Sequence, residues 1–212
     1  MTNKILLQIR KVTPMIGLTY IILFCLMFFV TIIAFYMNIS VDAFTRDPAA
    51  LFDFHPFLGL ISNIGILFWC STSAICLFSA NFYEKGRQRI VKQFLITSGL
   101  LTLLLLLDDL FMLHDEIFPM YFHGSEKIVY CVYIVLILMY FLKFKTLIAE
   151  TEYFILFMAC SFLGFSIIGD VFFTQLGILV EDGSKLFGIV TWFIYFARTC
   201  FFQINSQKIT QG

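Results

Sequence analysis

Charge is what this chain has least of. Asp, Glu, Lys and Arg make up 13% of its 212 residues, about half the fraction of an average soluble domain. So few charges cannot clothe a water-facing surface of this size, which excludes an ordinary soluble fold. There is no surplus of either sign: 14 basic residues balance 14 acidic ones, without a basic patch, so nucleic acid is not an expected partner. The six cysteines contain no CxxC pair and all fall in apolar blocks. They read as small hydrophobes rather than redox or metal groups. Neither HExxH, HxxxH nor a nucleophile elbow is present, so no familiar hydrolase motif announces a reaction.

What is abundant is apolar sequence. Hydrophobic residues are 60% of the chain, and they come in long blocks, the pattern of membrane helices. The first block follows Lys4, Arg10 and Lys11. Its length of roughly 22 residues exceeds a signal-peptide core, and no A-x-A site follows, so it reads as a retained span. Six spans are predicted, over residues 15–36, 57–80, 94–113, 128–144, 153–174 and 186–202. Each approaches the ~20 residues needed to cross a bilayer core. The expected fold is all-α, one polytopic domain over 1–212, with short connections and antiparallel neighbours.

The basic residues orient it. With the N-terminus in the cytoplasm, 11 of the 14 Lys and Arg lie inside, and only Arg46, Lys127 and Lys185 lie outside. Both termini are then cytoplasmic. This orientation sends all three histidines, His55, His114 and His123, to the outer side. It also places Asp108, Asp109 and Asp170, the acids within spans, in the outer third.

The densest polar feature is Leu107-Asp108-Asp109-Leu110-Phe111-Met112-Leu113-His114-Asp115-Glu116. It closes an apolar run that starts at Leu100. A charge near the end of a membrane helix costs a few kcal/mol and is usually paired or functional. On a regular helix Asp108 shares a stripe with Asp115, and Asp109 with Glu116, whereas His114 lies about 120° from Asp108. One straight helix cannot aim the whole cluster at one point. Either the helix distorts before Pro119, or His114 meets another segment.

Glu181-Asp182-Gly183-Ser184-Lys185 opens the last span. Asp182 is a candidate N-cap, and Glu181 a candidate partner of Lys185 at i, i+4. Glu181 can equally complete a site with Asp108, Asp109 and Asp170. Lys185 can instead neutralise one of the intramembrane aspartates as a structural ion pair. Asn63 and His55 add polarity at the start of the second span. Trp192 and Tyr195 read as packing.

Carboxylates with a histidine suit a divalent metal such as zinc, manganese or iron. The expected ligands are Asp108, Asp109, His114, Asp170 and Glu181, with Asp115 or Glu116 as the base that activates water. Three functions fit: a metal-assisted hydrolase of a lipid-like, ester or amide substrate, a proton- or cation-coupled transporter, or a non-catalytic scaffold or sensor. Transport is disfavoured because no acid or histidine lies in the inner two-thirds of any span. The surroundings are membrane lipids, and a homo-oligomer is compatible with the short six-span chain.

The LDDLFMLHDE run, with EDGSKLFGIVTW opening the last span, resembles a group of small bacterial polytopic membrane proteins of uncharacterised activity. The likeness covers roughly Phe57 to Cys200 and implies a bacterial inner-membrane location. A looser resemblance is to the ceramidase and adiponectin-receptor superfamily. Those proteins have seven spans and paired histidines in the last, both missing here, so their zinc chemistry is not carried over.

Overall fold

The computed structural model describes residues 2–83, 88–122, 126–172 and 178–211. Among them every regular element is helical. The chain divides into two compact units, Met1–Leu58 and Gly59–Gly212. The first holds the long helix α1 (Thr2–Met37) and two single-turn helices, α2 (Asp42–Thr45) and α3 (Pro48–Leu51). Asp47 caps α3 by accepting from the Ala49 N–H at 2.8 Å, and Pro48 sits where its missing N–H is harmless.

The second unit carries the candidate site. Its helices are α4 (Leu60–Ala80), α5 (Gln88–Phe111), a π-helical turn (Leu113–Ile117), α6 (Phe118–Phe122), α7 (Glu126–Ala149), α8 (Tyr153–Phe172) and α9 (Ile178–Gln211). Among the described residues five helices are long and apolar enough to cross a membrane, and Tyr153–Gly169 in α8 is a shorter apolar helix. Several predicted boundaries move, three of them with a visible cause. The second span starts at Leu60, because Gly59 takes a left-handed φ of 70° just before it. The third ends at Phe111, because Met112 is left-handed. The last begins at Ile178, since Ile178-Leu179-Val180 carries the helix upstream of the charges. The end of the fifth predicted span, at Thr174, and residues 84–87 between the second and third spans fall outside the described residues.

Helix α9 packs on both α4 and α8, and α4 packs on α5. The shared core includes Trp69, Phe94, Leu95, Trp192, Tyr195 and Phe196. In an apolar bundle small residues let helices approach closely, and polar side chains tie them. Gly188 of α9 faces α8 so closely that a Cβ there would stand 2.7 Å from Leu163 Cγ and 3.0 Å from the Leu163 backbone nitrogen. Polar ties cross several interfaces. Ser98 and Tyr140 hydroxyls join α5 to α7 at 2.8 Å, and Ser73 Oγ donates from α4 to the Gly99 carbonyl of α5 at 2.9 Å. At the opposite end of α9 from the charged cluster, Arg198 binds both oxygens of Glu152 at 2.5 Å.

Because one of the obstructing atoms at Gly188 is backbone, the neighbour cannot simply rotate away. Gly188→Val should destabilise the protein by about 1–3 kcal/mol through overpacking, read as a lower midpoint in detergent unfolding. Gly164→Ala, where a Cβ meets nothing within 4 Å, should leave that midpoint nearly unchanged.

Candidate functional site

The site begins with a break in helix geometry. Met112 adopts φ 50° and ψ 47°, a left-handed conformation that costs a non-glycine residue roughly 1–2 kcal/mol. The five residues after it wind as a π-helical turn. This resolves the angular problem posed by the sequence: the chain distorts before Pro119 and swings His114 back toward Asp108.

The two side chains then clasp. His114 Nδ1 lies 2.6 Å from Asp108 Oδ2, and the His114 backbone N–H donates to Asp108 Oδ1 at 3.1 Å. The other ring nitrogen, Nε2, lies 3.1 Å from Asp115 Oδ1. A ring with a carboxylate at each nitrogen donates from both, as imidazolium does. Asp108 and His114 are only 5% and 6% exposed. From α7 Tyr133 approaches Asp108, and the Tyr130 ring packs 5.0 Å from the imidazole, centroid to centroid.

Asp109 turns to the neighbouring helices. Its Oδ1 meets Lys185 Nζ of α9 at 2.6 Å, and its Oδ2 accepts the Trp69 indole N–H of α4 at 2.8 Å. One carboxylate thus joins three helices. Lys185 also feels the charges of Asp115 and Asp108. Two helical turns from this pair, Trp192 of α9 donates to Thr102 of α5 at 3.1 Å. Both partners are seven residues removed from Lys185 and Asp109, so the two contacts are successive rungs between antiparallel helices.

These groups surround a cavity of about 220 Å³. Of the residues expected from sequence, Asp108, Asp109, His114, Asp115 and Glu181 line it. Glu116 does not; it is exposed on the π-helical turn, its N–H bonded to the Met112 carbonyl. Asp170 lies on α8 with its side chain outside the described residues, as is all of His123. Asp182 lines the cavity from within α9, so its expected N-cap role is corrected: the helix starts four residues earlier. Lys185, expected either to pair with Glu181 or to neutralise an aspartate, lies against Asp109.

The divalent metal fares differently from the polar cluster. Among the described residues no three His, Cys, Asp or Glu side chains gather so as to hold a metal ion. The carboxylates instead meet His114, Lys185, Trp69 and Tyr133. Sequence reasoning singled out none of Trp69, Tyr130 and Tyr133. The available signal was chemical: an indole N–H or phenol in an apolar helix needs an acceptor.

The electrostatics follow from the contacts. Burial alone would push His114 down, but hydrogen bonds to Asp108 and Asp115, and their charges, outweigh it and lift the imidazole from 6.5 to about 9. Asp115 is held below 3.8, first by its hydrogen bond to His114 and then by the charges of His114 and Lys185, against the effect of burial. Because the folded state holds the His114 proton more tightly, its stabilisation is complete below about pH 6.5 and is lost as pH rises through about 9. Asp115 acts oppositely: its contribution is present above 3.8 and is lost as pH falls through its lowered value.

A family model described as a domain of unknown function, DUF8692, matches residues 16–199. No curated protein and no solved structure matches the chain.

Two outcomes follow from the geometry. Stability in detergent should decline between about pH 6.5 and 9 in the wild type, and His114→Gln should flatten that decline. Met112→Val should cost about 1–2 kcal/mol, because a β-branched residue tolerates the left-handed region worst. Met112→Gly should be close to neutral, since relief of strain offsets added chain entropy.

Proposed function

This chain belongs to the DUF8692 family, and we propose that it is a cation-recognising membrane protein rather than a metal hydrolase. In this reading it is a six-span bundle of the bacterial inner membrane. Both termini are cytoplasmic and the charged cavity faces outward. Among the described residues, five helices of spanning length plus the shorter apolar α8 support the span count. The concentration of 11 of 14 basic residues on one side supports the orientation.

One observation carries the function: the balance of charge around the cavity. Among the described residues, Asp108, Asp109, Asp115, Glu181 and Asp182 face it, against His114 and Lys185 as the cationic side chains lining it. Five carboxylates against two cations leave a negative surplus in a partly apolar enclosure, which favours capture of a positive charge.

The geometry offers a hydrolase less. A general base needs a nitrogen or carboxylate within reach of water and substrate. Both His114 nitrogens face carboxylates, Asp115 is bonded to His114, and Glu116 stands off the cavity. A transporter needs a route onward from the site. At the deep side of the Asp109 pair, Trp69 and Trp192 meet edge to face at 6.1 Å, a packed aromatic barrier.

The test is thermal unfolding of detergent-purified protein at constant ionic strength, with sodium, magnesium, manganese, zinc and ethylammonium salts compared. At least one cation should stabilise saturably, by about 2.7 kcal/mol at a hundredfold excess over its Kd. The Glu181→Gln/Asp182→Asn variant should shrink that shift. If no cation stabilises beyond ionic strength, the reading fails. Stoichiometric zinc, manganese or iron in the purified protein, lost in Asp109→Asn, would restore the metal-hydrolase reading in its place.

A further inference from the structure

The cavity walls say more about the cation than its charge. We propose that the ligand is an alkylammonium: an amine or substituted amine carried on an apolar body. This inference rests on the cation-recognising reading above and narrows it to a chemical class.

The first argument is the spread of the acids. A bare magnesium or calcium ion asks for about six oxygens at 2.0–2.6 Å around one point. Here the carboxylates come from α5, the π-helical turn and α9, and among the described residues no three potential ligands converge. Distributed carboxylates suit a cation whose charge is spread or whose body separates it from part of the wall. The second argument is size. A volume of about 220 Å³ is far more than one water-sized site requires, and it approaches the lower range of small-molecule pockets.

The third argument is the lining between the acids. Trp69, Tyr130 and Tyr133 present aromatic rings to the same cavity, and aromatic faces beside carboxylates are how proteins recognise organic ammonium groups. Leu105, Ile137, Leu163 and Ile167 supply an aliphatic wall, which an inorganic ion would leave unused and an alkyl chain would cover. The fourth argument is that the protein already makes this contact with itself. Lys185, an alkylammonium, sits 2.6 Å from Asp109, whose other oxygen is fixed by the Trp69 indole. A ligand amine needs the same arrangement at another carboxylate of the wall, such as Asp182.

The amine can arrive from water or as the headgroup of a lipid, and the chemistry recognised is the same. The experiment uses the full-length protein in nanodiscs of phosphatidylglycerol alone, titrated with n-octylammonium, n-octanol, ethylammonium and magnesium. Tryptophan fluorescence and the unfolding midpoint report binding, with empty nanodiscs as the partition control. n-Octylammonium should bind saturably, more tightly than ethylammonium, while n-octanol at equal concentration should give no saturable change. Tyr130→Leu, which removes an aromatic ring from the cavity wall, should weaken octylammonium roughly 3- to 30-fold.

A second set of nanodiscs carries phosphatidylethanolamine. Competition that shifts the octylammonium titration to higher concentration assigns the amine to a lipid headgroup, and an unchanged titration assigns it to a water-borne amine. Equal binding of n-octanol would overturn the proposal and leave a greasy groove. Stabilisation by magnesium or sodium without any amine response would overturn it while leaving cation recognition standing. No response to any cation would remove both.

Discussion

The contact on which the rest of the second unit depends is the ion pair between Asp109 and Lys185. Each charge stands at the end of a long apolar stretch of its helix, where an unpaired charge is costly. Together, at 2.6 Å, they offset one another and fix where α9 lies along α5. The next rung, Trp192 to Thr102, repeats the register two turns away, about 10 Å along the helices. The Trp69 indole draws α4 into the same contact. Gly188 then admits α8 against α9 at backbone distance. A charged pair thus supplies the alignment that dispersion forces between smooth apolar helices would leave loosely specified.

The cavity exists because Asp108 and Asp109, adjacent in sequence, point to different partners. Asp109 faces the helices. Asp108 faces the π-helical turn, where His114 is held between two carboxylates. The backbone strain at Met112 is small beside the several charge-assisted hydrogen bonds it permits. This division arranges five carboxylates around one opening, with two cations and several N–H donors among them. The remaining negative surplus is what a bound cation would complete.

Much of this was legible in the residues. Charges interrupting an apolar run are costly, so Asp108, Asp109, His114 and Lys185 announced themselves, and the geometry of a regular helix showed that the chain had to distort near Pro119 for His114 to reach Asp108. The alternative of an ion pair through Lys185 was also visible. What was not legible depended on tertiary neighbours. Trp69, Tyr130 and Tyr133 look like any aromatic in a helical span until a carboxylate is placed beside them. Glu116 shares a stripe with Asp109 only on a regular helix, and the π-helical turn removes that relation. The start of α9 was hidden because an acidic pair beside a glycine resembles a helix N-terminus, although the apolar residues before it continue the helix.

The most direct measurement is a double-mutant cycle on Asp109→Asn and Lys185→Met, read as unfolding free energies of the full-length protein in detergent. If this pair aligns the bundle, Lys185→Met should lose about 3–5 kcal/mol, since it leaves the largely buried Asp109 carboxylate uncompensated, and Asp109→Asn should lose less, because the Lys185 side chain is 40% exposed and has Asp108 and Asp115 nearby. The double variant should lose much less than their sum, with a coupling of about 2 kcal/mol or more. Losses that add to within about 0.5 kcal/mol would contradict the account: Asp109 and Lys185 would then be neighbours without mutual dependence, and the register of α5 and α9 would rest on packing alone.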